Sequence, residues 1–321
     1  MLHPPIILGS ILCLLGAPKK GVHRLKLLEN AKPAYRALRL SYRVMTSQMR
    51  LLPDFLIIGG QRCGTTSLYY YLTELPGIAR ALNKEVHFYD DHYKAGLCWY
   101  RAQFPSSFQK YYAESIRREY FITGESSPYY LFHPLIPARL AAVTPQAKLI
   151  VLLRNPIDRA FSHHWLVTEE GHETLPFEEA IKREGQRLAG ETEKLLGDEN
   201  YQSFNHRHYS YLARGIYADQ LKRWMESFSR EQFLILQSEQ LYKNTAAVLK
   251  QALGFLGLPG ESLIGDNKEF KQYREPNEKG YQNNRKPPKM DSKVREYLVE
   301  YFRPHNTRLY EFLGQDFGWD K

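Results

Sequence analysis

Cysteine is scarce in this sequence, and no metal-binding motif occurs in it. The 321 residues include three cysteines, Cys13, Cys63 and Cys98, whose spacing fits neither a disulfide framework nor a zinc site. The 11 histidines do not form an H-E-x-x-H pattern or a comparable one. We therefore expect no metal site, a reducing compartment and a cytoplasmic protein. We interpret the histidines at positions 163, 164, 206 and 208 as surface or packing residues.

The sequence also lacks an apolar run long enough to span a bilayer. The apolar stretch at residues 6–17 has about 12 residues, whereas a transmembrane helix needs about 20. No basic segment precedes it, which argues against a secretory signal. Residues 26–50 carry arginines at positions 36, 39, 43 and 50 among apolar residues. This pattern predicts a basic amphipathic helix, which either contacts a membrane surface or is a solvated leader. We divide the chain into a leader, residues 1–50, and a single domain, residues 51–321.

The charge balance indicates an anionic partner. The formal net charge is +9, and 43% of the residues are hydrophobic, as in ordinary globular proteins. A nucleotide, an acidic polymer, a nucleic acid or a membrane surface would each suit this charge. Nucleic acid is disfavoured, because no helix-turn-helix pattern and no basic strand with interleaved aromatic residues occurs.

Residues 54–68, DFLIIGGQRCGTTSL, predict a strand, a glycine-containing turn and the start of a helix. Backbone N–H groups and the positive end of the helix dipole would face an anion in such a turn. Gly59 and Gly64 bracket four residues as in a Walker A loop. However, Thr65 stands where that loop has lysine, and the nearest cation, Arg62, lies inside the turn. The alternative is a structural corner without a ligand.

Two further apolar stretches predict buried strands of a parallel sheet. Residues 149–153 form a continuous apolar run that ends at Arg154, and Ser162 follows on the predicted next helix. Ligands of open parallel sheets bind beyond the carboxyl ends of the strands, so Arg154 can meet one, unless it merely follows the strand. Residues 232–237 predict another core strand. Strands that alternate with helices indicate a single α/β domain with a central parallel sheet flanked by helices.

Other segments give coarser predictions. Residues 83–90 predict an extended segment or loop whose charged side chains either converge on one centre or form an exposed edge. Residues 121–130 predict a strand end with Glu125, Ser126 and Ser127 at its tip, and residues 185–207 a polar surface loop. Helices are expected at 67–75, in 96–120, and at 137–143, 211–224, 246–256 and 292–313, the last split by Pro304. Residues 277–289 predict a basic loop.

Five segments, in this order along the chain, resemble one family. They are GGQRCGTTS at 59–67, KEVHFYD at 84–90, GESSPY at 124–129, LRNPIDRAFS at 153–162 and GIYADQL at 215–221. Together they resemble the sulfotransferases that use 3′-phosphoadenosine 5′-phosphosulfate (PAPS), in particular the carbohydrate branch that includes heparan sulfate N- and O-sulfotransferases. The resemblance implies a fold like that of P-loop kinases.

The resemblance also implies roles for individual residues. The first loop would bind the 5′-phosphosulfate of PAPS through Arg62, Cys63, Gly64, Thr65, Thr66 and Ser67. Arg154 and Ser162 would bind the 3′-phosphate, and Tyr281, Arg285 and Lys286 of the late basic loop would cover the nucleotide. Glu85 would be the general base, with His87 beside it and with Lys84 and Arg62 near the sulfuryl group, and no metal would be required.

The acceptor implied is a hydroxyl or amine of a carbohydrate or of another small molecule. Many heparan-modifying relatives have lysine where this chain has Ser126, a position expected to face substrate. They also often have a disulfide near the late loop, whereas no cysteine follows Cys98, so a Golgi enzyme with a membrane anchor fits less well than a cytoplasmic one. Two alternatives are a P-loop kinase acting on a small molecule and a non-catalytic binder of an anionic glycan.

Overall fold

A computed structural model describes residues 21–264 and 289–319, with only the backbone given for residues 21–32. The apolar stretch at 6–17 and the residues predicted to cover a nucleotide, Tyr281, Arg285 and Lys286, lie outside the described residues.

The centre of the structure is a five-stranded sheet in which every pair of neighbouring strands is parallel. Its strands are β1 (Phe55–Gly59), β2 (Ile78–Arg80), β3 (Ile122–Ser126), β4 (Lys148–Leu153) and β5 (Phe233–Gln237). They lie in the order β2-β3-β1-β4-β5. This arrangement confirms the predicted α/β domain. The short edge strand β2 was not predicted, because three residues are too few for a recognisable hydrophobic pattern.

The described residues also contain fourteen α-helices, not counting short 3₁₀ turns. They are α1 (Gly21–Met45), α2 (Thr65–Thr73), α3 (Gly96–Arg101), α4 (Ser107–Tyr111), α5 (Ile136–Val143), α6 (Pro156–Glu169), α7 (Phe177–Leu188), α8 (Glu191–Gly197), α9 (Phe204–His208), α10 (Tyr217–Met225), α11 (Ser238–Lys243), α12 (Thr245–Leu256), α13 (Gly260–Ile264) and α14 (Ser292–Leu313). A π-helical turn, Tyr112–Ile116, extends α4.

Both faces of the sheet are covered by apolar residues. Side chains alternate along β1: Leu56 and Ile58 belong to the core on one face, and Phe55 and Ile57 to the core on the other. All residues of β1 are buried, as expected for a strand covered by helices on both sides. The continuous apolar runs in the sequence therefore correspond to β1 and β4 at the centre of the sheet, whereas the run predicted as a third core strand is β5, at one edge.

Two predictions of secondary structure were wrong. The stretch 185–207, predicted as a surface loop, contains the end of α7 together with α8 and most of α9. Pro304 does not split the last helix, because α14 continues through it. Proline inside a helix costs about 3 kcal/mol. Burial of Leu298, Phe302 and Leu309 on one face of α14 offsets this cost, since each such side chain contributes about 1.5–3 kcal/mol.

The end of the leader packs against the domain. The predicted basic helix corresponds to α1, and Arg43 Nη2 donates a hydrogen bond of 2.6 Å to the carbonyl of Phe104. Arg101 Nη1 donates to the carbonyl of Arg50 at 2.9 Å. Two of the four arginines of this segment, Arg43 and Arg50, therefore contact the domain. Among the described helices none has the length and apolarity needed to cross a membrane.

Candidate active site

The candidate site lies at the carboxyl end of β1, where the order of the strands reverses. From β1 the chain supplies β2 and β3 on one side, and then crosses to β4 and β5 on the other side. In open parallel sheets such a switch point forms a crevice that binds ligands. The turn predicted as an anion cradle, residues 60–64, lies at this crevice.

The geometry of this turn requires glycine at position 64. Gly64 has φ of 89°, and a Cβ atom there would lie 2.7 Å from the hydroxyl oxygen of Tyr242. The residue at the N-cap position of α2, which begins at Thr65, is Gly64, and it has no side chain to cap the first turn. The amino end of α2 can therefore hold an anion through its N–H groups and its dipole. The Cys63 thiol is buried, and this burial raises its pKa to about 11, so its side chain stays neutral.

The two predicted phosphate-binding groups contact each other. Arg62 Nε donates to Ser162 Oγ at 3.0 Å, and Arg154 Nη1 donates to the carbonyl of Arg62 at 3.1 Å. Tyr217 Oη in turn donates to the carbonyl of Arg154 at 2.8 Å. The turn after β1 is thus joined to the end of β4 and to α6. Two arginines and one hydroxyl lie side by side at the crevice.

Lys84 connects the turn to the predicted base. Its Nζ lies 2.6 Å from Thr66 Oγ1 and 2.9 Å from Glu85 Oε1. Residues 81–92 form an irregular segment that begins after β2, which fits the predicted loop. The side chain of Glu85 is about a third exposed, at 35%. The converging arrangement of these charged side chains is the one observed, and the exposed-edge alternative is excluded for them.

His87 lies between two carboxylates. Its Nε2 is 3.1 Å from Glu85 Oε2, and its Nδ1 is 2.7 Å from Asp90 Oδ2. Burial opposes a charge on this ring, but hydrogen bonds to Asp90 and Glu85 raise the pKa of His87 to about 10. The ring is therefore an imidazolium at neutral pH and donates to both carboxylates. Burial acts to raise the pKa of Glu85, but the hydrogen bond from His87 and the charge of Lys84 lower it below its ordinary value.

Sequence reasoning missed several residues of this site. Arg207 of α9 pairs with Asp90 at 3.2 Å and with both carboxylate oxygens of Asp91. Asp90 is the last residue of the quoted 84–90 segment, and its spacing of three from His87 was the available signal. No local pattern marked Arg207, which lies 116 residues after Asp91 and in the stretch predicted as a loop.

The side chain of Gln61 within the turn has a partner from another part of the chain. Arg214 Nη1 donates to Gln61 Oε1, and Arg214 Nε donates to Ser210 Oγ at 2.7 Å. Burial lowers the pKa of Arg214 to about 9, so it remains a cation at neutral pH. Arg214 therefore places a buried positive charge beside the turn, and it directly precedes the 215–221 segment that resembles the family.

His87, Asp90 and Asp91 are the one group of potential metal ligands in the described part of the chain. Their donor atoms lie within 4.8 Å of one another. Arg207 pairs with both aspartates, and Asp90 also accepts a hydrogen bond from the His87 imidazolium. Because the pKa of His87 is raised to about 10, its protonated ring has no free lone pair for a cation, and the group is better described as an ion-pair network.

Glu125 and Ser126 end β3 and Ser127 follows directly, as predicted for the tip of this strand. All three are fully buried, so Ser126, which was expected to face substrate, is covered. The Ser126 hydroxyl has no hydrogen-bond partner within the described residues. The reason is that the 84–90 segment covers this strand end, with the Ser126 N–H donating to the carbonyl of Lys84 at 3.1 Å.

Comparisons with known proteins agree with this geometry. A family model described as "Sulfotransferase domain" matches residues 52–315. Human heparan sulfate glucosamine 3-O-sulfotransferase 3B1 is 30% identical over 287 residues, which cover 85% of this chain and 66% of that protein. The mouse bifunctional heparan sulfate N-deacetylase/N-sulfotransferase 4 is 31% identical over 283 residues, covering 82% of this chain and 30% of that protein. The chain thus spans slightly less than two thirds of the first of these relatives.

A solved structure is also similar over its whole length. The crystal structure of a sulfotransferase from Alicyclobacillus acidocaldarius aligns with a TM-score of 0.61 and 27% identity. The alignment covers 84% of this chain and 100% of that structure.

Proposed function

This chain belongs to the sulfotransferase domain family, and from that premise we propose that it transfers the sulfuryl group of PAPS to a hydroxyl or amine of a carbohydrate. The other product is adenosine 3′,5′-bisphosphate. The observation that supports this proposal best is the position of Lys84 Nζ, within hydrogen-bond distance of both Thr66 of the anion cradle and Glu85. A donor bound in the cradle would bring its reacting group beside the candidate base.

The cradle fits an anionic nucleotide at two points. The amino end of α2, with backbone N–H groups from Gly64 to Ser67, suits the 5′-phosphosulfate, and Arg62 adds a positive charge. Arg154 and Ser162 suit the 3′-phosphate, because a guanidinium and a hydroxyl are strong donors to phosphate oxygens. The contact between Arg62 and Ser162 would be exchanged for contacts with the nucleotide.

Glu85 is proposed to remove the proton of the acceptor as the acceptor oxygen or nitrogen attacks sulfur. The bond between sulfur and the bridging phosphate oxygen then breaks, and the leaving phosphate takes the electron pair. His87 remains an imidazolium and orients the carboxylate by its hydrogen bond from Nε2. Because His87 is already protonated, it cannot be the base itself.

Lys84 and Arg62 are proposed to stabilise the negative charge that develops on the leaving phosphate. Fixed cations and backbone donors in a preorganised site can supply this stabilisation. Kinases move a more highly charged group and use Mg²⁺ with the Walker lysine. The threonine at position 65 is compatible with sulfuryl transfer, and we propose that the reaction needs no metal ion.

The carbohydrate acceptor is proposed from the relatives, whose names specify glucosamine 3-O-sulfation and N-sulfation of heparan sulfate. The buried Ser126 is a point of difference, since many heparan-modifying relatives have lysine there. We therefore keep the acceptor at the level of a carbohydrate with a reactive hydroxyl or amine. A reducing, cytoplasmic location, based on the three scattered cysteines, also remains a proposal.

The proposed function is tested by incubating the purified chain with PAPS and a panel of glycans and small-molecule alcohols or amines, without Mg²⁺. The expected result is release of adenosine 3′,5′-bisphosphate together with a product whose mass has increased by one sulfuryl group. ATP-dependent phosphorylation that requires Mg²⁺ would instead support a kinase. Glycan binding without turnover would support a non-catalytic binder.

A further inference from the structure

A buried carboxylate, Glu125, lies beneath the segment that carries Lys84, Glu85 and His87. Its side chain has no exposure to solvent at the end of β3. Three hydroxyls surround it: Tyr100 Oη donates to Oε1 at 2.7 Å, and Ser127 Oγ and Tyr130 Oη donate to Oε2 at 2.7 and 3.4 Å. No arginine, lysine or histidine forms an ion pair with Glu125 within the described residues. A buried carboxylate without a cationic partner is costly, so its contacts call for an explanation.

Two of these hydroxyls also hold the backbone of the 84–90 segment. Ser127 Oγ accepts a hydrogen bond of 3.3 Å from the N–H of His87. Tyr130 Oη accepts from the N–H of Phe88 at 2.9 Å and from that of Tyr89 at 3.4 Å. Each hydroxyl therefore directs its proton toward Glu125 and its lone pairs toward backbone N–H groups of the segment.

The charge of Glu125 explains why the hydroxyls of Ser127 and Tyr130 direct their protons toward it. An ionised carboxylate only accepts hydrogen bonds, so the hydroxyls that contact it must donate. Their oxygens are then available as acceptors for the N–H groups of residues 87–89. If Glu125 is replaced by glutamine, the new NH₂ group donates, and at least one hydroxyl must turn its proton away from position 125.

The segment needs such a restraint because part of its backbone is strained. His87 has φ of 51°, in the left-handed region that residues other than glycine seldom adopt. A conformation of this kind persists only when the surrounding contacts impose it. The hydrogen bond from the His87 N–H to Ser127 is a contact at the strained residue itself.

We propose that Glu125 is a positioning residue for the transfer reaction: through Ser127 and Tyr130 it holds the backbone at residues 87–89, and so keeps Glu85 and His87 facing the donor cradle. Its effect on turnover rests on the proposed function. The restraint on the segment is a property of the fold and can be measured without an activity assay.

The neighbouring serines 126 and 127 provide a matched pair of variants. Both are fully buried, but the Ser127 hydroxyl contacts Glu125 and His87, whereas the Ser126 hydroxyl has no partner within the described residues. The experiment is run at pH 8, because burial raises the pKa of Glu125 to about 7 and the carboxylate form prevails above that value. Turnover, binding of adenosine 3′,5′-bisphosphate and hydrogen–deuterium exchange are measured for Ser127→Ala and Ser126→Ala.

We expect Ser127→Ala to lower kcat about 10-fold, as for the loss of one hydrogen bond, and to leave nucleotide affinity within about twofold of the original value. Exchange should become faster in peptides covering residues 84–91 but not in those covering 148–153. Ser126→Ala should change neither the exchange of these peptides nor the nucleotide affinity. Tyr130→Phe should resemble Ser127→Ala, and so should Glu125→Leu, which removes both acceptor oxygens. These two variants decide the question if Ser127→Ala does not fold.

Three results would overturn this proposal. One is unchanged exchange and unchanged kcat in both Ser127→Ala and Tyr130→Phe. Another is faster exchange throughout the protein, in residues 148–153 as well, which indicates a general loss of stability. The third is an equal effect of Ser126→Ala. If the unmodified protein neither binds adenosine bisphosphate nor transfers a sulfuryl group, the proposed function fails, while the exchange comparison still tests the restraint.

Discussion

Nε2 of His87 lies 3.1 Å from Oε2 of Glu85, so the candidate base is held by a cation within its own loop. This contact has two opposite consequences for Glu85. The imidazolium orients the carboxylate and keeps it ionised, but it also makes the carboxylate a weaker base, because the pKa of Glu85 is lowered. The Glu85 carboxylate is thus less basic but held in a defined orientation. This suits a reaction in which the acceptor must be aligned with the donor.

Replacement of Glu85 by glutamine should abolish most of the turnover without preventing nucleotide binding. A general base contributes roughly 10²–10⁴-fold to a rate, so kcat should fall by about that factor. Affinity for adenosine 3′,5′-bisphosphate, measured by calorimetry, should change little. Glu74→Gln is a suitable control, since its side chain has a similar exposure, 39% compared with 35%, outside the loop. Normal turnover of Glu85→Gln would disprove the assignment of the base.

Arg154→Ala should weaken the binding of adenosine 3′,5′-bisphosphate by about 10-fold or more, because a charge-assisted hydrogen bond to phosphate is lost. The binding of 5′-AMP, which has no 3′-phosphate, should weaken much less. Since Arg154 also contacts the carbonyl of Arg62, the loss for 5′-AMP measures how far the turn is loosened. Arg308→Ala, at an exposed ion pair with Asp219, serves as the control. Equal losses for the two nucleotides would rule out the 3′-phosphate role.

His87→Gln should shift the acidic limb of the pH–rate profile to higher pH. In the unmodified protein the pKa of Glu85 is lowered, so the carboxylate remains ionised well below neutral pH. Burial acts to raise the pKa of Glu85, and the hydrogen bond from His87 is the main cause that lowers it. Without the imidazolium, the pKa of Glu85 should therefore rise. The profile of kcat against pH, compared with that of His92→Gln, measures this change. If the acidic limb of the profile lies at the same pH in both variants, His87 does not control the charge of Glu85.

Glu184→Gln should make stability depend less on pH. Burial raises the pKa of Glu184 from 4.5 to about 7, so between these values the native state binds a proton that the unfolded state has lost. The free energy of unfolding therefore falls as pH rises through this window, by at most about 3.5 kcal/mol at about 1.4 kcal/mol per unit of pKa. Urea unfolding at pH 5 and pH 7 should show a smaller difference for Glu184→Gln than for the unmodified protein.

The control for this measurement is Glu178→Gln, an exposed position on the same helix, α7. Glu125 has a similarly raised pKa and contributes to the pH dependence in every variant, so the comparison isolates Glu184. Glu184 accepts hydrogen bonds from the N–H groups of Leu212 and Ala213, and the variant should therefore be less stable at both pH values. An undiminished pH difference would show that Glu184 titrates normally.

Much of the fold was predictable because its signals are local. The apolar runs that became β1, β4 and β5 have no polar residue at alternate positions, which is typical of strands covered on both faces. The turn from Gly60 to Gly64 and the start of α2 are likewise encoded in adjacent residues. The prediction for 185–207 was wrong because short polar helices with little apolar surface have no strong periodic pattern.

The site was predictable only in part. Lys84, Glu85 and His87 were identified within one short segment, and the structure places them together. Their partners come from distant positions: Thr66 for Lys84, and Arg207 for the aspartate that holds His87. Contacts across such separations depend on how the chain crosses the sheet, which no local spacing specifies.

By itself the sequence determined the parallel α/β architecture, the glycine-containing turn that we propose as an anion cradle and the identity of its charged residues, because hydrophobic pattern and glycine position act over a few neighbouring residues. Only the tertiary structure decided which of these charges are paired and which side chains are buried. The fully buried Glu125 and Ser127, the imidazolium state of His87 and the contact between Arg62 and Ser162 follow from how the chain returns to the sheet on the two sides of β1. These returns bring segments 40 to 116 residues apart within hydrogen-bond distance, where burial and neighbouring charges set each ionisation state.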